Sequence, residues 1–350
     1  VSRPLLLPRR PRAVAAVGLA AAVALAVPAA AAPLDRTAVV QPLQPLPALD
    51  VLADAPVAAG AGDGIVAWTT SDTDTLAQRC AGLTVWTLRD GAPVRAARVP
   101  DGCRADEMGI DVGTATDGRP VAVVRSMTSG PTPLTRTHLV DLRTGRLRTA
   151  PKTLRGEPLT DVAVDAGVAY ASTTPRGRRA TSTLWRGTLR GTRIVAMRRI
   201  RTYPSGLRAA GLLADGGRIA VRTTGHPRPY PSFHAGYDLR FGRPSGPWTR
   251  TGETWATDGG YVPVLAAGFT RSGALVTVQP RDGQGGGRVY ARAVPPRHGG
   301  VRRSWVRLPD VAGPQQVTAD AYDATTGRFL VLGRDAAGVP ALGWTAPARR

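Results

Sequence analysis

Ala214-Asp215-Gly216-Gly217-Arg218-Ile219-Ala220-Val221-Arg222-Thr223-Thr224 sets a glycine-bearing turn directly ahead of alternating β-branched and small residues. That order reads as a tight turn feeding a strand. Related stretches begin at Asp63-Gly64, Asp117-Gly118 and Asp165-Ala166-Gly167, with looser copies at Ser272-Gly273 and Thr326-Gly327. The turn glycines therefore fall at 64, 118, 167, 217, 273 and 327, spaced by 54, 49, 50, 56 and 54 residues. A near-constant period of this size in a strand-rich chain points to a propeller or a kindred repeat architecture. Asp258-Gly259-Gly260 lies 14 residues before Gly273, too close to anchor a separate unit.

Each period carries a second hairpin. Leu83 to Leu88 and Val94 to Val99 flank Arg89-Asp90-Gly91-Ala92 in the first unit. The later pairs are Thr137–Leu142 with Arg146–Thr149, Ser182–Thr188 with Ile194–Met197, Tyr237–Phe241 with Trp248–Arg250, and Val289–Val294 with Trp305–Leu308. With a short strand before each anchor glycine, a unit holds four antiparallel strands, the content of a propeller blade. No helix-period segment appears after residue 32. The expected fold is all-β: a six-bladed β-propeller over residues 32–350, preceded by a cleaved signal peptide over 1–31. The last unit ends one strand short. Thr37-Ala38-Val39-Val40-Gln41 is a spare strand, expected to pair near Leu342 and close the last blade, with Pro42, Pro45 and Pro47 forming a connector.

Asp215-Gly216-Gly217-Arg218-Ile219-Ala220-Val221 resembles the strand-turn-strand core of TolB-like six-bladed propellers. Asp141-Leu142-Arg143-Thr144-Gly145 resembles the D-x-x-T-G hairpin turn of secreted propeller proteins. None of the copies has the family's Pro before Asp-Gly, so the resemblance implies architecture and transfers no site residue.

The leader reading rests on Arg3, Arg9, Arg10 and Arg12, the apolar run Ala13 to Val27, and the small residues after Pro28. Arg9-Arg10 leaves twin-arginine export open beside the general secretory route. A retained anchor is the other reading, although the run is shorter than the ~20 residues a spanning helix needs. No later segment is apolar enough to span a bilayer. Extracytoplasmic location follows, and with it a disulfide between Cys80 and Cys103, which flank the open end of the first unit's second hairpin.

The net charge is +21, and Lys152 is the only lysine among the basic residues. Arginine in such numbers with abundant Ala, Gly and Pro matches a GC-rich coding bias. It also suits attraction to anionic polymers. Export and the lack of an aromatic-plus-basic motif argue against nucleic acid.

Localised function is expected on the face of the long polar loops. Candidate ligand contacts there are Asp72, Asp74, Asp106, Glu107, Arg176, His226, Arg228, Tyr230, His234 and Asp282. His226 and His234 have no carboxylate or Cys between them, which argues against a metal. Asp72 and Asp74 lack a following calcium loop. No nucleophile elbow, zinc-protease motif or phosphate loop occurs. No cofactor or metal is called for, and a monomer is expected. Two function classes stand. One is a secreted non-enzymatic propeller binding a protein or an anionic cell-envelope polymer. The other is a propeller hydrolase or lyase acting on a polysaccharide with carboxylates at the channel mouth.

Overall fold

The computed structural model describes residues 44–45, 56–74, 79–100, 110–127, 135–174, 181–203, 208–225, 236–251, 256–257, 260–261, 265–280, 289–295, 306–307, 318–324, 327–334 and 340–345. The expected leader over 1–31 and the spare strand Thr37–Gln41 lie outside these residues.

Among the described residues, twenty-seven strands fall in chain order into repeated antiparallel sheets. β1 (Gln44–Pro45) is set aside for the last of them. The first sheet is β2 (Pro56–Gly62), β3 (Ile65–Asp74), β4 (Arg79–Arg89) and β5 (Ala92–Pro100). The second is β6 (Ile110–Thr114), β7 (Pro120–Met127), β8 (Thr135–Asp141) and β9 (Leu147–Thr149). The third is β10 (Thr153–Leu154), β11 (Glu157–Asp165), β12 (Val168–Thr173), β13 (Thr183–Arg190) and β14 (Arg193–Thr202). The fourth is β15 (Arg208–Asp215), β16 (Arg218–Gly225), β17 (Gly236–Gly242) and β18 (Trp248–Arg250). β19 (Ala256–Thr257) and β20 (Gly260–Tyr261) make a separate small hairpin. The fifth sheet is β21 (Leu265–Phe269), β22 (Leu275–Pro280), β23 (Val289–Val294) and β24 (Val306–Arg307). The sixth is β25 (Thr318–Asp323), β26 (Arg328–Arg334) and β27 (Pro340–Thr345), with β1 on its outer edge.

Local chemistry explains the turns. The anchor glycines Gly64, Gly118, Gly167, Gly217, Gly273 and Gly327 have φ between +69° and +86°, a region that L side chains enter only at a steric cost. At Asp63-Gly64 and Gly216-Gly217 both central residues have positive φ, the two-residue turn whose twist matches flanking antiparallel strands. Asp141 organises the D-x-x-T-G turn. Its Oδ1 accepts the Arg143 and Thr144 N–H groups at 2.9 Å each, and its own carbonyl accepts Gly145 N–H at 2.8 Å.

The sheets stack face to face into a β-propeller. Each innermost strand (β2, β6, β11, β15, β21, β25) touches the next, and β25 returns to β2. Apolar cores lie between neighbours. Leu83, Val85 and Val99 of the first sheet meet Ile110, Val112 and Val140 of the second. Val123 and Leu139 meet Val162 and Ala171, and Tyr170 and Leu184 meet Leu212 and Val221. Phe241 packs on Phe269 between the fourth and fifth sheets, with ring centroids 6.1 Å apart. Trp68 and Ala59 meet Ala321 and Leu330 between the first and sixth. Full burial of each such Val, Leu, Ile or Phe side chain stabilises the fold by about 1.5–3 kcal/mol. The axis is tight. A Cβ on Gly60 or Gly62 would overlap the Ile110 or Val112 carbonyl of the second sheet, so β2 from Ala58 to Gly62 holds only Ala and Gly.

Among the described residues, Trp68, Trp86 and Trp185 are packing residues. Trp68 is fully buried and stacks on Trp86 at 6.4 Å, and Trp185 is buried. Two readings of the sequence shift. The strand beside Leu342 is Gln44–Pro45, inside the presumed proline connector, with Gln44 opposite Leu342 and Pro45 opposite Ala341. An edge strand tolerates Pro because one side of it has no ladder to feed. Asp72 and Asp74 belong to β3, not to a loop, with Asp72 opposite Gly82 and Asp74 opposite Arg79. The alternating Ser and Thr around them extend the ladder.

Pairing of β1 with β27 ties the two ends of the described chain together. Removing residues 1–41 should leave the melting temperature unchanged. Removing residues 1–46 should lower it by a few degrees, about 1–3 kcal/mol of stability, with faster aggregation. Thermal melts of the two truncations check this.

Candidate functional site

The inner strands and the turn after β2 carry a set of carboxylates that reach across from one sheet to the next. Asp63 Oδ2 accepts the Thr114 N–H at 3.0 Å and the Thr114 hydroxyl at 2.8 Å. Asp111 Oδ2 accepts Val164 N–H at 2.5 Å, and Asp161 Oδ2 accepts Leu212 N–H at 2.6 Å. Asp165 Oδ2 accepts Gly217 N–H at 2.7 Å, and Asp215 Oδ2 accepts Phe269 N–H at 3.1 Å. Partners in these six bonds lie 51 to 54 residues apart in sequence, so each spans about one repeat. Arg125 of β7 adds a charge contact, with Nε 3.5 Å from Asp161 Oδ1.

These carboxylates also feel one another. Burial pushes Asp111 well above the usual carboxylate range, the Val164 N–H opposes this, and the charges of Asp161, Asp165 and Asp215 add to it. Burial likewise raises Asp165. Asp215 is pushed up to about 6 by burial, with the Phe269 N–H opposing and Asp165, Asp63 and Asp323 adding. Asp141 goes the other way. Burial raises it, but the N–H donations of Thr144 and Arg143 and the Arg119 guanidinium prevail and hold it below the usual value.

Charge is sorted radially. The inner strands hold Asp111, Glu157, Asp161, Asp165, Asp215, Asp320 and Asp323, against a single arginine, Arg208. The outer strands β5, β9, β14, β18 and β24 hold nine arginines and no acid. Arg95, Arg98, Arg148, Arg193, Arg198 and Arg199 are exposed. Arg201 is tied down, its guanidinium 4.6 Å from the Trp248 ring centroid and bonded to the Gly246 carbonyl.

Of the candidate contacts read from the sequence, Asp72 and Asp74 stand at the far end of β3. Asp106, Glu107, Arg176, His226, Arg228, Tyr230, His234 and Asp282 lie outside the described residues. Cys80 lies in β4, while Cys103 lies outside the described residues. Sequence reading missed a polar line in the second sheet. Ser126 Oγ is 3.0 Å from His138 Nε2, and Thr149 Oγ1 is 3.1 Å from His138 Nδ1. The geometry is that of a nucleophile–base pair, but Ser126 and His138 are 2% and 3% exposed and the third group is a neutral hydroxyl. Burial and the nearby Arg136 charge lower His138 to about 4. It is therefore neutral at physiological pH and ties three strands together. No Gly-x-Ser-x-Gly or other motif could have flagged it. Among the described residues no group of three or more metal-ligating side chains assembles, and no helix is long and apolar enough to cross a membrane.

No protein-family model matches the chain, and no curated protein matches it. Solved structures do. A Penicillium chrysogenum alpha-L-arabinanase complexed with arabinobiose is 10% identical with a TM-score of 0.46, covering 89% of this chain and 97% of its own. The β-propeller domain of the Trilobed protease from Pyrococcus furiosus is 11% identical with a TM-score of 0.44, covering 85% and 96%. The GH74 xyloglucanase from Xanthomonas campestris is 14% identical at 0.44, covering 84% of this chain and 47% of its own. At these values the propeller assignment rests on the sheets and their contacts.

The raised Asp215 gives a signed pH dependence. Its folded form holds a proton more tightly than the unfolded chain does. Its contribution to stability is therefore complete below about pH 4 and lost as pH rises through about 6. Relative to Asp215→Asn, which keeps an acceptor for Phe269, the native protein should lose about 1–3 kcal/mol of unfolding free energy between pH 4 and 7. Urea titrations of both proteins across that range check the sign.

Proposed function

We propose that the chain is an exported, six-bladed propeller of TolB-like type that binds an anionic cell-envelope polymer without chemistry. Its binding surface is the long-loop face together with the arginine-bearing perimeter. The radial sorting of charge carries this reading: nine arginines and no acid on five outer strands, with the inner acids engaged along the axis. Fold stability does not require arginine on solvent-facing strands, and such a perimeter attracts polyanions over a Debye length. The Cys80–Cys103 disulfide belongs to the same exported reading. The β4–β5 ladder runs to Gly82 opposite Pro100, so Cys80 stands two residues beyond the last pair and Cys103 three. That spacing in sequence supports pairing across the open end of one hairpin.

A second reading, a polysaccharide hydrolase or lyase, draws support from Asp215. Its carboxyl titrates near 6 among the charges of Asp165, Asp63 and Asp323, within the range a general acid needs. The first reading is preferred because an oxygen of Asp63, Asp165 and Asp215 is already given to a backbone amide of the next sheet.

The test is retention of the purified mature chain on dextran sulfate, measured against salt, alongside a glycan-turnover screen. Binding should weaken steeply with salt. Arg198→Ser with Arg199→Ser should weaken it several-fold and flatten the salt dependence. Salt-insensitive capture of a protein instead, or turnover of any glycan that Asp215→Asn abolishes, would contradict the proposal.

A further inference from the structure

A cavity of about 370 Å³ lies between the outer halves of the second and third sheets. Its floor is Leu139, Val162 and Ala171, all buried. Its walls include Leu154, Leu159, Ile194 and Met197, half-buried and packed on the same core. At its rim stand the exposed Arg148 and Arg193, with Thr149 and Thr192 beside them. No carboxylate is among its lining residues.

Two features of the outer strands border this space. The outermost strand of the second sheet, β9, has 3 residues, as short as β18, where β5 has 9 and β14 has 10. It stops before it can cover the gap to the third sheet. The opposite wall is bulged. Arg186 pairs with Arg198 and Thr188 with Val195, so Ala196 and Met197 together face Gly187. Ala196 takes a φ of +54°, a conformation that costs an alanine about 1 kcal/mol. A Cβ at Gly187 would collide with Met197 Sδ, so glycine there lets the thioether lie against the sheet. A strained residue on an edge strand and a matching glycine thus hold the wall open instead of closing it with a regular pleat. Strain of this kind concentrates at functional sites.

We propose that this cavity binds an amphipathic anion, with an apolar body of about ten carbons on Leu139, Val162 and Ala171 and an acidic head on Arg148 and Arg193. The volume is more than twice that of a roughly 150 Å³ apolar void that accepts benzene, and it falls in the range of small-molecule sites. The floor supplies only carbon surface, so the body must be apolar. The two rim guanidinium groups, with no carboxylate among the lining residues, select a negative head, which each can bind in bidentate fashion. Met197 has a flexible thioether that adapts to bodies of different shape.

The probe is 8-anilinonaphthalene-1-sulfonate on the mature chain, displaced by decanoate below its micellar concentration, with decanol as the uncharged control. One saturable site is expected. Val195→Trp, at the half-exposed wall, and Ala171→Leu, on the floor, should each weaken both probes tenfold or more. Arg148→Ala with Arg193→Ala should weaken decanoate about tenfold and leave decanol within twofold. Unsaturable binding would overturn the site. So would decanoate affinity unchanged in a Val195→Trp variant that still melts cooperatively. An equal loss of decanoate and decanol in the arginine variant would overturn the anionic assignment.

Discussion

A carboxylate on one sheet accepting a backbone N–H from the next is the contact on which the rest of this ring depends. The ladders run within each sheet, so backbone pairing between sheets is sparse, as where Gly167 N–H meets the Thr114 carbonyl and Thr116 N–H meets the Leu189 carbonyl. Apolar contacts between them are non-directional and would tolerate sliding. The bonds from Asp63, Asp111, Asp161, Asp165 and Asp215 are directional, and each fixes the height of one inner strand against its neighbour. They also satisfy amides on strands that have no ladder partner toward the axis. The cost is electrostatic. Burying several carboxylates around one axis raises Asp111, Asp165 and Asp215 together.

That cost explains the sorting of charge. Acids are concentrated on the inner strands, where they bind amides, and the outer strands are left with arginine alone. The result is a molecule with an acidic axis and a basic perimeter, and the perimeter is what a polyanion meets first. The short β9 and the bulged β14 leave a cavity where the first and second sheets have the continuous core around Val99 and Val112.

Much of this architecture was legible in the residues, for a physical reason. Positive φ demands glycine, so the six turn glycines mark the hairpins directly, and all six adopt that conformation. Trp248–Arg250 and Val289–Val294 were delimited by their turns and form strands with those same bounds. The edge strand was harder to see. Pro45 reads as a connector, but an outermost strand does not need its N–H, and the pairing falls on Gln44–Pro45. The inner carboxylates were visible only as turn residues. Asp63, Asp165 and Asp215 stand beside the anchor glycines, and nothing local reveals that their partners are amides one repeat away. His138 was likewise hidden, because its strand position in Thr137–Leu142 says nothing of Ser126 and Thr149 on either side.

Native-state hydrogen exchange of the amides at Val164, Leu212, Gly217 and Phe269 tests the carboxylate bridges most directly. If the bridges hold the ring, these four amides exchange only through global unfolding, and Asp161→Ala releases Leu212 while leaving Val85 of the first sheet protected. Rapid exchange at all four in the native protein, or a Leu212 amide indifferent to the loss of Asp161, would contradict the account.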